Sequence, residues 1–248
     1  LHPDLGPDHP LVRSVLDKWE GTHFVYPTAD GTEITLVRPV ARRPPERWWI
    51  HILLALATFI TTTAAGAYFL NREPFELVVL PWLPFDLPVP VRILPGGFLP
   101  GLAFSVPLLT ILLGHELGHY LVARRHGMNV SPPYFIPGPH WINFIGTFGA
   151  FIRLRSVVIN RKVLLDVGMA GPLASFFLSI PVALVGFALS TPYPELISDT
   201  PSRYVVLFGG QPIWLGDSLI FDALGRIAAP DGGFLVLHPL AFAAWLGF

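Results

Sequence analysis

The chain contains no cysteine in 248 residues. That absence excludes disulfides and thiolate zinc sites, so any metal bound here must be held by histidine and carboxylate. Charge is also scarce. Only 13% of residues are Asp, Glu, Lys or Arg, against about 25% in soluble globular domains. With 52% hydrophobic residues and a mean hydropathy of +0.56, composition draws the chain towards a membrane. A formal net charge of −1 gives no electrostatic reason to expect nucleic acid as a partner. Residues 1–20 lack the apolar core of a signal peptide. The chain starts at Leu1 rather than Met and stops inside an apolar run at Phe248, which reads as a fragment of a longer protein.

What is present is organised around Ile111-Leu-Leu-Gly-His-Glu-Leu-Gly-His-Tyr120. His115 and His119 are four apart, so on a helix both imidazoles share a face and reach one metal ion. Glu116 stands beside them as the general base that takes a proton from a metal-bound water. Zinc with open positions lowers the pKa of such a water to about 7. The bland alternative, two solvated histidines and a solvated glutamate, fails on context. Residues Phe98 to Leu113 carry no charge, and Tyr120-Leu-Val-Ala123 continues the apolar run. Ionisable groups at membrane depth are expensive and mark functional sites.

Around the motif, about 20 apolar residues suffice to span a bilayer core of about 30 Å. Trp49–Leu70, Phe98–Ala123 and Val163–Ser190 meet that length, and Leu235–Phe248 begins a fourth span. The expected fold is an α-helical polytopic membrane protein with about three full transmembrane helices and the start of a fourth. A membrane-associated β-hairpin and a small N-terminal α+β region complete it. Residues 1–48 form that cytoplasmic N-terminal region, with a helix over Val12–Glu20 and strands at His23–Tyr26 and Glu33–Val37 around the turn Thr28-Ala-Asp-Gly31. Residues 49–248 form a membrane-embedded domain, truncated at its carboxyl end. The proline-broken stretch 71–97, holding Asp86 and Arg92, reads as an interfacial loop. Gly209 to Asp217 reads as loop, followed by a short amphipathic helix from Ser218 to Ala228.

Nine basic residues, Arg42, Arg43, Arg47, Arg124, Arg125, Arg153, Arg155, Arg161 and Lys162, flank the same ends of the spans and place them in the cytoplasm. The motif then lies within a few turns of that face. His51 sits at headgroup level. Phe144–Ile152, aromatic and glycine-spaced, suits a hairpin that either offers its edge to an extended peptide or merely covers the site. Asn143, Gly146, Thr147 and Phe148 are the substrate-contact candidates, with His140 and Asn143 otherwise solvated loop residues. Asp166, a turn inside the third span, either snorkels to water or serves as a third ligand. His238 reads as structural.

Gly114-His-Glu-Leu-Gly-His119, Gly146-Thr-Phe-Gly-Ala150, Asn160-Arg-Lys162, Asp166-Val-Gly-Met-Ala-Gly-Pro172 and His238-Pro-Leu240 occur in this order. Over roughly residues 38–248 the chain thereby resembles the site-2 protease family of intramembrane zinc metalloproteases, nearest its bacterial and chloroplast branch. The resemblance implies a Zn2+ cofactor on His115 and His119, with Glu116 as general base and then general acid. It implies cleavage of membrane-protein or membrane-proximal substrates within the lipid bilayer. The third ligand it implies is an aspartate of a later Asp-Gly motif, expected beyond Phe248. Pro230-Asp-Gly-Gly233 is not that motif, being turn-like and on the far side of the membrane. The alternative is a catalytically silent membrane scaffold of the same fold that binds clients, against which the intact Glu116 argues. A transporter would show internal repeats, and none is visible.

Overall fold

Long apolar runs without partners in water leave the backbone one self-sufficient solution, the helix. In the computed structural model, which describes residues 8–28, 31–37, 46–80, 88–156, 160–193, 203–230 and 234–248, three helices are long and apolar enough to cross a membrane. The chain divides into two compact units, Leu1–Glu46 and Arg47–Phe248.

In the first unit, α1 (Pro10–Asp17) starts where His9 accepts the Leu11 N–H and proline fills the first turn. It therefore begins two residues before the expected Val12 and ends before Glu20. Strands β1 (Thr22–Thr28) and β2 (Gly31–Val37) pair antiparallel, from Thr22 opposite Val37 to Thr28 opposite Gly31. Ala29 and Asp30 of the expected turn lie outside the described residues.

The second unit opens with α2 (Trp48–Phe69). The stretch expected as a loop after it instead pairs β3 (Phe75–Val79) with β4 (Pro88–Ile93), antiparallel with a bulge at Glu76/Leu77. Pro88 and Pro90 are tolerated because each strand of a two-stranded ladder is an edge strand. A short α3 (Pro95–Phe98) and one 3-10 turn (Leu99–Gly101) lead into α4 (Leu102–Arg125), whose last turn carries Arg124 and Arg125 where the helix dipole favours cations.

Strand β5 (Tyr134–Pro137) then pairs antiparallel with β6 (Thr147–Phe151). The expected hairpin within Phe144–Ile152 is thus only one strand of a longer one. Its other strand, Tyr134–Pro137, follows Pro132 and Pro133 and ends on a proline. Helix α5 (Arg161–Ala188) follows, capped by Asn160, whose side chain accepts the Val163 N–H at 2.9 Å.

Beyond α5 the chain forms β7 (Thr191–Tyr193), β8 (Tyr204–Phe208), β9 (Gln211–Trp214), α6 (Leu219–Ala228), β10 (Phe234–Val236) and α7 (Pro239–Trp245). The strands make one sheet in the order β7-β10-β8-β9, with β10 and β8 parallel. This overturns the loop reading of Gly209–Asp217. Gly209 and Gly210 form the two-residue turn of the β8–β9 hairpin, at φ 56° and 80°, where glycine alone is unstrained. Ser218 caps α6 by accepting the Phe221 N–H. The buried faces of the sheet and α6 share one core with α2, α4, α5 and α7, built around Phe69, Phe104, Phe187, Tyr204, Phe221 and Phe242.

Candidate functional site

Helices α4 and α5 touch closely because glycine lines the seam. A Cβ on Gly118 would lie 2.4 Å from the Ala170 carbonyl oxygen, and one on Gly114 would lie 2.2 Å from the Leu178 side chain. Positions 114 and 118 share a face, so the turn holding His115 and His119 is pressed onto α5. From α5, Val167, Gly171 and Ser175 face it, again four apart and all buried. A Cβ at Gly171 would meet the His119 Nε2 at 2.2 Å.

Two hydrogen bonds then orient the imidazoles. The His119 Nδ1–H donates to the Val167 carbonyl at 2.6 Å, and His115 Nδ1 lies 3.2 Å from the Ser175 hydroxyl. A carbonyl only accepts, so His119 carries its proton on Nδ1 and a lone pair on Nε2. The two Nε2 atoms converge to 3.1 Å. Two zinc–nitrogen bonds of about 2.0–2.1 Å at a tetrahedral angle give nearly that separation. Facing lone pairs repel one another and attract a cation, so this half of a site fits zinc.

Glu116 is buried, with the Ile152 N–H, one residue past β6, on the side of its carboxylate. Ser131 and Arg155 bond across the hairpin, N–H to the Arg153 carbonyl and N–H to the Asn129 carbonyl. By alternation, Ile152 and Ala150 present their peptide groups on the opposite edge. No third strand covers that edge among the described residues. Beside His115 lies a cavity of about 260 Å³, walled mainly by Leu108, Ile111, Leu112, Pro172 and Leu246.

The other sequence candidates fall elsewhere. Asn143 braces its own loop, donating to the Thr147 carbonyl at 2.7 Å and accepting from the Ile145 N–H at 3.0 Å. Gly146, at φ 85°, packs on α2, where the Thr61 hydroxyl donates to its carbonyl at 2.6 Å. The Thr147 hydroxyl donates to the Ile136 carbonyl. Phe148 is exposed. His140 stacks on Tyr68 with centroids 4.4 Å apart, and burial holds its ring below the usual imidazole range.

His51 is buried against the hairpin. Its Nδ1–H donates to the Pro133 carbonyl at 3.0 Å, and its ring packs on Tyr134. Asp166 pairs with His126 at 3.0 Å instead of joining His115 and His119. His238 caps α7. Among the described residues no group of three or more His, Cys, Asp or Glu is placed to hold an ion, and Asp231 and Gly232 lie outside them. Two contributors escaped the sequence reading, the Ile152 amide and Ser175. The small-residue spacing 167, 171, 175 was the available signal for the second.

Known proteins speak to this geometry. The sequence profile of Peptidase family M50 matches residues 103–247. The "Probable zinc metalloprotease EGY1, chloroplastic" of Arabidopsis thaliana is 33% identical over 252 residues, covering 96% of this chain and 44% of its own. Its namesake from Oryza sativa subsp. japonica is 33% identical, over 86% of this chain and 36% of its own. The "Probable zinc metalloprotease EGY2, chloroplastic" of Oryza sativa subsp. indica is 38% identical, over 54% of this chain and 22% of its own. The chain spans less than half the length of these curated relatives. No solved structure matches it.

Proposed function

The chain belongs to peptidase family M50, and from that premise we propose that it is the catalytic part of an intramembrane zinc endopeptidase. The observation that carries this is the convergence of the His115 and His119 Nε2 atoms to 3.1 Å beside a buried Glu116, on a helix apolar enough to span a bilayer. His115 and His119 would hold the metal. Bound zinc supplies Lewis acidity and brings the pKa of water to about 7. Glu116 accepts the proton of the attacking water on its carboxylate and delivers it to the leaving amide nitrogen.

The unpaired edge of β6 suits an extended substrate, since a peptide bond inside an intact helix is shielded and must first unwind. A strand laid along Ala150 and Ile152 would pair with the hairpin and run beside Glu116. The substrate class is therefore a transmembrane or membrane-proximal segment. Arg124, Arg125, Arg153, Arg155, Arg161 and Lys162 orient the site towards the cytoplasmic face. His119 lies six residues from Arg125, roughly 9 Å along the helix.

The test is cleavage of a single-span substrate by the intact protein in detergent. Stripping zinc with a chelator should abolish cleavage and added zinc restore it. Undiminished cleavage in the stripped protein overturns the reading. The silent-scaffold alternative predicts substrate capture without cleavage in both states.

A further inference from the structure

The two imidazoles are backed differently. Behind His119 stands a backbone carbonyl, which no substitution removes and which only accepts. Behind His115 stands the Ser175 hydroxyl, which can donate or accept. Left to itself, that hydroxyl would leave the tautomer of His115 undetermined. A second bond decides it. The Ser175 O–H donates to the Pro172 carbonyl at 3.1 Å, one turn back on α5. With its proton so engaged, Ser175 Oγ faces His115 Nδ1 at 3.2 Å as an acceptor, and the imidazole must supply the hydrogen.

We propose that Ser175 is a positioning residue, relaying from the His115 Nδ1–H through its own hydroxyl to the Pro172 carbonyl and so fixing the lone pair of His115 on Nε2. This rests on the zinc reading of His115 and His119 given above. Ser175 touches neither the metal nor the substrate in this account and acts only through His115. The relay is local to α5, so the element that presses on His119 through Val167 also orients His115. Partners of this kind behind metal-bound histidines change metal affinity by about 10–100-fold when removed.

Ser179 provides a matched control. It lies one turn further along the same buried stripe, and its hydroxyl has no hydrogen-bond partner among the described residues. Zinc affinity is measured by chelator competition on the intact protein in detergent, beside the thermal unfolding midpoint of each variant. Ser175→Ala should weaken zinc at least tenfold, Ser175→Thr should restore most of the affinity, and Ser179→Ala should match wild type. Unchanged zinc affinity in Ser175→Ala overturns the proposal, as does an equal loss in Ser179→Ala, which would make the effect one of helix packing. A threonine variant as weak as the alanine variant overturns it too. His115→Ala separates the premises: if zinc still binds at wild-type affinity there, it is the metal-site reading that fails, whereas zinc loss there with normal Ser175→Ala affinity defeats the Ser175 relay alone.

Discussion

Two seams in this molecule are made the same way and end differently. Between α2 and α4, a Cβ on Gly66 would lie 2.4 Å from the Gly101 carbonyl oxygen, and the Thr63 and Ser105 hydroxyls share a hydrogen bond at 2.8 Å. Between α4 and α5, Gly114, Gly118 and Gly171 bring the helices equally near. In the first seam the polar side chains close on one another, and nothing faces a ligand. In the second the hydrogen bonds run backwards, away from the contact, and leave two Nε2 atoms facing each other. Small residues therefore bring helices together without themselves making a site. The site comes from which polar atoms remain unengaged.

Breaking the chemistry without the packing should give the largest effect. Glu116→Gln keeps the shape of the side chain and both histidines. Its cleavage rate should fall by roughly 10²–10⁴-fold, the span of general acid–base contributions, while zinc content stays at wild type. Near wild-type turnover in that variant would remove Glu116 from the proposed role. Packing is next. Gly171→Ala and Gly66→Ala should each destabilise by about 1–3 kcal/mol through overpacking, read from thermal unfolding in detergent. Only Gly171→Ala should also lower zinc bound per folded molecule, because its new methyl meets the His119 ring. Equal zinc loss in both would erase the contrast between the seams.

The smaller effects sharpen it. Thr63→Val breaks the hydroxyl pair of the first seam, and interhelical hydrogen bonds in membranes average about 0.6 kcal/mol. Stability should drop by about that much, with zinc affinity untouched. Smallest of all is Asp166→Asn. A partly exposed ion pair contributes about 0–1 kcal/mol, so only a marginal shift in unfolding midpoint is expected, with no change in zinc affinity. A lost zinc ion in that variant would restore Asp166 as a ligand.

The long helices were legible because nothing else competes with a run of some 20 apolar residues, and α6 because Ser218 announces its start. That the His115 and His119 Nε2 atoms converge to 3.1 Å was legible for the same local reason, a fixed spacing on one helix. What failed was pairing at a distance. Nothing local marks Tyr134–Pro137 as the partner of β6, although a two-stranded ladder tolerates proline on its outer edges. The β3–β4 hairpin was hidden in the proline-broken stretch 71–97, which read as loop. Gly209-Gly210 carried its turn signal openly, flanked by the β-rich Val205–Phe208, and the surrounding polar stretch obscured it. The burial of His51 was not legible because it depends on Pro133 and Tyr134, 82 and 83 positions along the chain, where no local pattern reaches.

The distances in sequence across the α4–α5 seam also set a schedule. Val167 and Ser175, the groups behind the two histidines, lie 48 and 60 residues downstream of them. At a synthesis rate of about 5–20 residues per second, the later backing group follows its histidine by roughly 3–12 s. Throughout that interval α4 has α2 beside it but lacks α5, the helix on which Gly114 and Gly118 pack. The proposed metal-binding pair would therefore be assembled only after the third long apolar helix has been made. A nascent chain still threading into the bilayer carries its motif complete in sequence but not yet in shape.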